Sequence, residues 1–152
     1  MQAQVSFEGD QIFLKSSYDA KSFLTNKNFA PKCLDIQFFV DKSVYDSLGW
    51  LSTQYVVNTE IANSQAAYEE INIFINPIIT YLDSSYLGST TTQVFNNFIG
   101  TPYVGDIAHL LTFTGGGGGV AAVGQINRYY PYAVSVIQTG TSGQSWNRLV
   151  LA

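Results

Sequence analysis

Hydrophobic and polar positions alternate along Leu34 to Asp41 (LDIQFFVD), with Ile36, Phe38 and Val40 set against Asp35 and Gln37. A two-residue period of this kind predicts a half-buried strand. After Gly49 the period lengthens. Trp50, Val57, Ile61 and Tyr68 fall on one stripe of an amphipathic helix that ends near Glu69 and Glu70 and packs on a sheet. Residues 71 to 82 (INIFINPIITYL) are nearly continuous isoleucine and phenylalanine, the pattern of a buried strand. Pro77 removes a ladder donor in its middle, so a bulge or a strand end is expected there.

The stretch TTTQVFNNFIG reads as a short helix with Thr90 or Thr91 near its cap, Val94, Phe95 and Phe98 inward, and Gly100 as its stop. DIAHLLTF then gives a third strand, GVAAVG a short fourth and YAVSVIQ a fifth. Strand, helix, strand, helix, strand is an α/β order, which implies a mainly parallel sheet with right-handed crossovers. Residues 1–30 are more polar and irregular, and VSFEGDQIFLKS fits a hairpin around Gly9 that belongs to a preceding segment. Residues 31–152 form the α/β unit. At the other end Ser145 caps a helix starting WNRLVLA, of which the chain holds only its first turns. Such a short helix is marginal by itself, and the chain is expected to be cut within an element.

Composition narrows the class. Of the 152 residues, 46% are hydrophobic, 14% aromatic and 12% charged, a balance that supports one folded core and excludes a disordered tail. Seven Lys+Arg against eleven Asp+Glu give a net charge of -4, and without a basic stripe the footprint of a nucleic-acid binder is missing. No apolar run approaches the roughly 20 residues of a membrane span. The opening MQAQVSFEGD has neither the basic nor the apolar region of a signal peptide.

Candidate chemistry concentrates in residues 106–124 (DIAHLLTFTGGGGGVAAVG). The glycine run suggests an anion cradle, but no Lys-Ser or Lys-Thr follows, and from Gly119 the G-x-G-x-x-G spacing breaks at Ala121. A flexible connection between strands fits better. His109 alternates with Ile107 and Leu111 on one face of its strand, which makes it a hydrogen-bonded packing residue. Cys33 has no local signature of a nucleophile and no partner for a disulfide. Glu69 and Glu70 point about 100° apart on a helix and form a solvated helix end. Asp41 and Asp83 sit where carboxylates bond nearby backbone amides in turns.

Asp106 to Thr112 (DIAHLLT), Gly117 to Gly124 (GGGVAAVG) and Tyr132 to Ser135 (YAVS) together resemble the catalytic domain of metzincin zinc peptidases, in particular the reprolysin-like, adamalysin-type branch. The aspartate-ended first strand, the helix ending AAYEE and the Ile-rich strand at Ile71 to Tyr81 are similar as well, so the resemblance spans residues 34–152. It implies a twisted, mostly parallel five-stranded sheet with an antiparallel edge strand and two helices, truncated before the active-site helix. It also implies that Gly118, Gly119, Val120, Ala121 and Ala122 line the substrate cleft, where an extended peptide adds by backbone hydrogen bonds. The cofactor implied is zinc, held by an H-E-x-x-H-x-x-G-x-x-H segment lying beyond Ala152, with a glutamate polarising the metal-bound water. His109 is then no zinc ligand, and no catalytic or metal-binding residue falls within the chain.

The expected activity is therefore that of a zinc-dependent endopeptidase of which this chain, inactive alone, is a fragment. The expected setting is secreted or extracellular. The expected partner is a peptide or protein substrate, without nucleic acid or membrane span, and the chain is expected to be a monomer. Phe113 stands where relatives often have glycine, Ala122 where many have a bulky aromatic, and QIN replaces a frequent cysteine, so the resemblance does not carry over a substrate preference or a disulfide pattern. The alternative is a non-catalytic domain that binds extended peptides along its sheet edge. In either case loss of the active-site helix is expected to uncover Ile, Val and Phe on the inner face of the sheet.

Overall fold

The computed structural model describes residues 5–8, 11–14, 30–122 and 130–136. β1 (Val5–Glu8) and β2 (Gln11–Leu14) pair antiparallel as a separate two-stranded sheet, the hairpin arrangement read from the sequence. The main unit then runs β3 (Lys32–Val40), α1 (Lys42–Leu48), α2 (Trp50–Glu69), β4 (Ile73–Tyr81), α3 (Thr91–Phe98), β5 (Ile107–Thr112), β6 (Gly118–Ala121) and β7 (Tyr132–Val136). Its five strands lie in the order β4-β3-β5-β7-β6. β3 pairs in parallel with β4 and β5, and β5 with β7, while β6 runs antiparallel to β7.

Two cores form because alternation sends successive side chains of each strand to opposite faces. On one face Ile36, Phe38 and Val40 of β3 pack with Ile75, Leu111, Val44 of α1, and Val57 and Ile61 of α2. On the other, Phe39, Ala108, Leu110, Val134 and Val136 pack with Val94 and Phe98 of α3. Phe98 is the centre of this second core, its ring meeting Phe39, Tyr86 and Tyr132 edge-on at centroid separations of 5.5, 5.3 and 5.5 Å, a favoured aromatic geometry.

Several expectations change. There are three helices among the described residues rather than two, because Asp41 caps α1 and accepts a bond from Ser43 N before Gly49 ends the turn. β4 shows no bulge or break at Pro77, where the register passes from Asp35↔Asn76 through Ile36↔Pro77 to Gln37↔Ile78 without slipping. β4 is an edge strand, so it needs donors toward β3 alone and tolerates a proline whose nitrogen turns outward. Trp50 is 48% exposed rather than inward, leaning on Tyr81 at 4.7 Å and Tyr45 at 5.6 Å. The inward stripe of α2 takes Thr53 and Ser64 in addition to Val57 and Ile61.

Phe95 is only partly buried, and the cap of α3 is Thr90, whose hydroxyl accepts from Gln93 N at 3.2 Å. On the face expected to be uncovered, Phe38, Val40 and Leu111 are buried. Where β7 joins the face shared with His109 it carries Ala133 and Ser135, and the branched and aromatic residues of that face lie under α1 and α2. The expected helix at Ser145, and the ends of the fourth and fifth strands at residues 123–124 and 137–138, lie outside the described residues.

Phe98→Ala would empty a site with no exposed surface and remove three ring contacts. A cost of about 3–5 kcal/mol is expected, measured as a lower urea midpoint with an unchanged slope.

Candidate functional site

β6 begins in the glycine run. Gly115, Gly117 and Gly118 have φ of +112°, +85° and +86°, in the left-handed region that side-chain-bearing residues avoid. These values turn the chain back along β7 in the antiparallel sense. The ladder then assigns a direction to each residue. Ala122 N donates to Tyr132 O at 3.1 Å, so Ala122 bonds inward, and in an antiparallel ladder this role alternates. Val120 and Gly118 share the inward parity. Gly119 and Ala121 turn their N–H and C=O groups away from β7, toward the outer edge of the sheet.

Of the five residues expected to line a peptide cleft, then, Gly119 and Ala121 present free backbone groups at an edge that no other described strand covers, while Gly118, Val120 and Ala122 hold the strand to the sheet. Both outward residues are exposed, and neither carries a side chain beyond a methyl group. A second extended backbone can approach to ladder distance, about 4.8 Å, without displacing side chains.

Behind the edge lies a buried polar network that sequence spacing left as a simple turn. The Asp41 carboxylate has no exposed surface. It accepts from Ser43 N at 3.1 Å, from the Ser43 hydroxyl, from Thr112 Oγ1 at 2.6 Å and from Tyr86 N at 3.3 Å. Thr112 Oγ1 in turn accepts from Thr114 N at 3.0 Å. Burial pushes the carboxyl above its usual 3.8, while the bonds from Ser43, Thr112 and Tyr86 pull it back. The signal present in the sequence was Asp41-x-Ser43 directly after a strand, a helix cap. The partners from Thr112 and Tyr86 are distant in sequence and left no local trace.

His109 is a strand residue of the core. Its Nε2 meets Ser135 Oγ at 2.8 Å and its ring stacks on Phe38 at 5.5 Å. Burial lowers its pKa from 6.5 to about 4, so it is a neutral imidazole at pH 7. Glu69, Glu70 and Asp83 are exposed, and Cys33 is an exposed free thiol at the start of β3. Among the described residues no three His, Cys, Asp or Glu side chains come together as a metal site. The paired, stacked His109 does not fit zinc ligation either.

Fold and edge together define the class: an α/β domain with a five-stranded, mostly parallel sheet that ends in one antiparallel strand. No protein-family model matches the chain, and no curated protein sequence does. A solved structure described as "Structure of a chaperone-substrate complex" is similar, with a TM-score of 0.58 and 12% identity over 96% of this chain and 25% of that one. The chain spans about a quarter of that protein's length, and at this identity the likeness is one of fold. None of the described helices is long and apolar enough to cross a membrane.

The buried imidazole sets a pH dependence. Between pH 6.5 and about 4 the unfolded chain takes up a proton that folded His109 refuses, so stability is full above 6.5 and falls as pH drops through that window. The whole effect is about 3 kcal/mol. Asp41, with its raised pKa, acts in the opposite sense, its contribution being present below 3.8 and lost as pH rises. His109→Gln keeps a partner for Ser135 and leaves Asp41 in place. Unfolding followed from pH 7 to 4 should show a shallower loss in this variant than in the parent, and parallel curves would mean that the imidazole does not carry the dependence.

Proposed function

We propose that this chain is the N-terminal, sheet-bearing part of a secreted, reprolysin-like zinc endopeptidase domain, and that its own share of the work is to receive an extended peptide along β6. The observation that carries this reading is the outward turn of Gly119 and Ala121 on an edge strand free of side-chain bulk. Backbone pairing at such an edge supplies affinity independent of peptide sequence and holds the peptide extended. The motif order from Asp106 to Ser135 supports the family assignment, as does a mostly parallel five-stranded sheet ending in an antiparallel edge strand. A likeness of fold to a chain from a chaperone-substrate complex is compatible with peptide binding and adds nothing on peptidase chemistry.

Zinc would be held by residues outside those described, in an H-E-x-x-H-x-x-G-x-x-H segment beyond Ala152, and would supply the activated water. His109, Asp41 and Cys33 take no part in it. Reading the coding sequence past Ala152 tests the enzyme assignment: such a segment supports it, and a continuous reading frame without one overturns it. In the second case the open edge still favours a non-catalytic domain that binds extended peptides.

The edge itself is tested by Ala121→Pro. The exchange removes an outward donor and spares the bonds to β7, and proline is tolerated on edge strands. A blocked hexapeptide of alternating alanine and valine with a lysine at each end should shift the amide signals of Gly119 and Ala121 in the parent protein. Ala121→Pro should weaken that binding by about tenfold, the scale of one backbone hydrogen bond, with little change in melting temperature. Equal binding by the two proteins would remove β6 as the receiving edge.

A further inference from the structure

The sequence of the β6 approach creates a difficulty that α3 solves. Gly115 to Gly119 have no side chains with which to hold themselves, and glycine loses more conformational freedom on ordering than any other residue. A strand that follows such a run presents its outward groups in a fixed plane only if something outside the run holds it. Thr91, the first residue of α3, meets it at two points. Its Oγ1 donates to Gly117 O at 2.8 Å, one residue before β6 begins. A Cβ built on Gly115 would stand 3.4 Å from both Thr91 N and Thr91 Cα, so the loop backbone lies directly on the helix start.

The Thr91 hydroxyl is available because the neighbouring Thr90 does the capping, through its bond from Gln93 N. Gln93 in turn accepts from Ser89 N at 2.9 Å. Thr91 itself is buried, with its hydroxyl turned to the loop. The far end of the loop is held separately, by Thr114 N on Thr112 Oγ1 and by Thr112 on Asp41.

We infer that Thr91 is a positioning residue for the peptide-receiving edge: its bond to Gly117 O fixes the start of β6, so that Gly119 and Ala121 face outward in a plane ready to pair. The peptide half of this inference rests on the reading of β6 given above. Thr91 touches no peptide. Its effect is transmitted through a single carbonyl and reaches the ordering of β6, where pre-ordering lowers the entropic cost of binding.

Amide hydrogen exchange and peptide titration, run on the whole chain, test the two halves separately. Thr91→Val keeps the β-branched shape and deletes the hydroxyl, and Thr91→Ala is a second variant without it. Both should lower the protection of the Val120 and Ala122 amides by about tenfold, with Leu110 in β5 unchanged. Thr91→Ser should restore protection, whereas Thr90→Ala, which weakens the cap without touching Gly117, should leave the ratio of Val120 to Leu110 protection as in the parent. Unchanged Val120 protection in Thr91→Val overturns the inference, as does a parallel fall at Leu110 in both hydroxyl-free variants or an equal effect from Thr90→Ala.

With the alternating alanine–valine hexapeptide, Thr91→Val should bind about tenfold more weakly and Thr91→Ser as the parent does. Equal binding by Thr91→Val and the parent overturns the positioning role. If the parent does not bind at all while the exchange pattern holds, the peptide reading of β6 fails and the anchoring of the strand by Thr91 stands.

Discussion

A carboxylate removed from water must find donors, and the answer found by Asp41 draws the molecule together. Its four bonds come from the first turn of α1, from the end of β5 and from the loop after β4. The cost of burying a charge is high unless it is bonded on every side, so the geometry permits little slack in any of the three. The same carboxylate that caps α1 also fixes how far β5 reaches before the glycine run begins. Through Thr112 and Thr114 it sets the entry to the loop that presents β6, as Thr91 sets the exit. Stability and presentation of the edge therefore draw on one network.

The other buried polar groups follow the same rule. Thr53 and Ser64 face the sheet from α2 and return their hydroxyls to the carbonyls of Gly49 and Glu60 at 2.8 and 2.9 Å, a local solution open to helical Ser and Thr. Small, self-satisfied side chains stand there among Val57 and Ile61. His109 and Ser135 satisfy each other across β5 and β7. The consequence is a core that accepts polar residues without leaving them unpaired, and that pays for one of them in acid, where the imidazole is protonated in the unfolded chain first.

The two edges of the sheet have been treated differently. β4 is long, and its Pro77 removes a donor from the outward side, one of the ordinary ways in which an edge is closed to pairing. β6 is short, carries no charge and no proline, and exposes two small residues. An unprotected edge is a liability in a protein that has no use for it. The contrast between the edges is the physical ground for the role proposed for β6.

Periods and punctuation belong to neighbouring residues, and what depends on them was readable from the chain: the strands at Ile36, Phe38 and Val40 and at Ile107 to Thr112, the helix over Trp50 to Glu69, a short strand after the glycine run, and a core role for His109; that this strand is an antiparallel edge was implied only by the family resemblance. Of the five residues expected to line a cleft, Gly118 to Ala121 form the edge strand β6 and Ala122 follows it. Which of them face outward was settled by the register of β6 on β7, a relation between segments joined by a loop. The same holds for Pro77, harmless because β4 lies at an edge, for Trp50, held outside by Tyr81, and for Asp41 and Thr91, whose partners lie 71 and 26 residues away. Alternation is imposed by the backbone of each segment, so sequence alone determines it; hydrogen-bond partners for buried groups are chosen by proximity in space, and only the assembled tertiary structure brings them within reach.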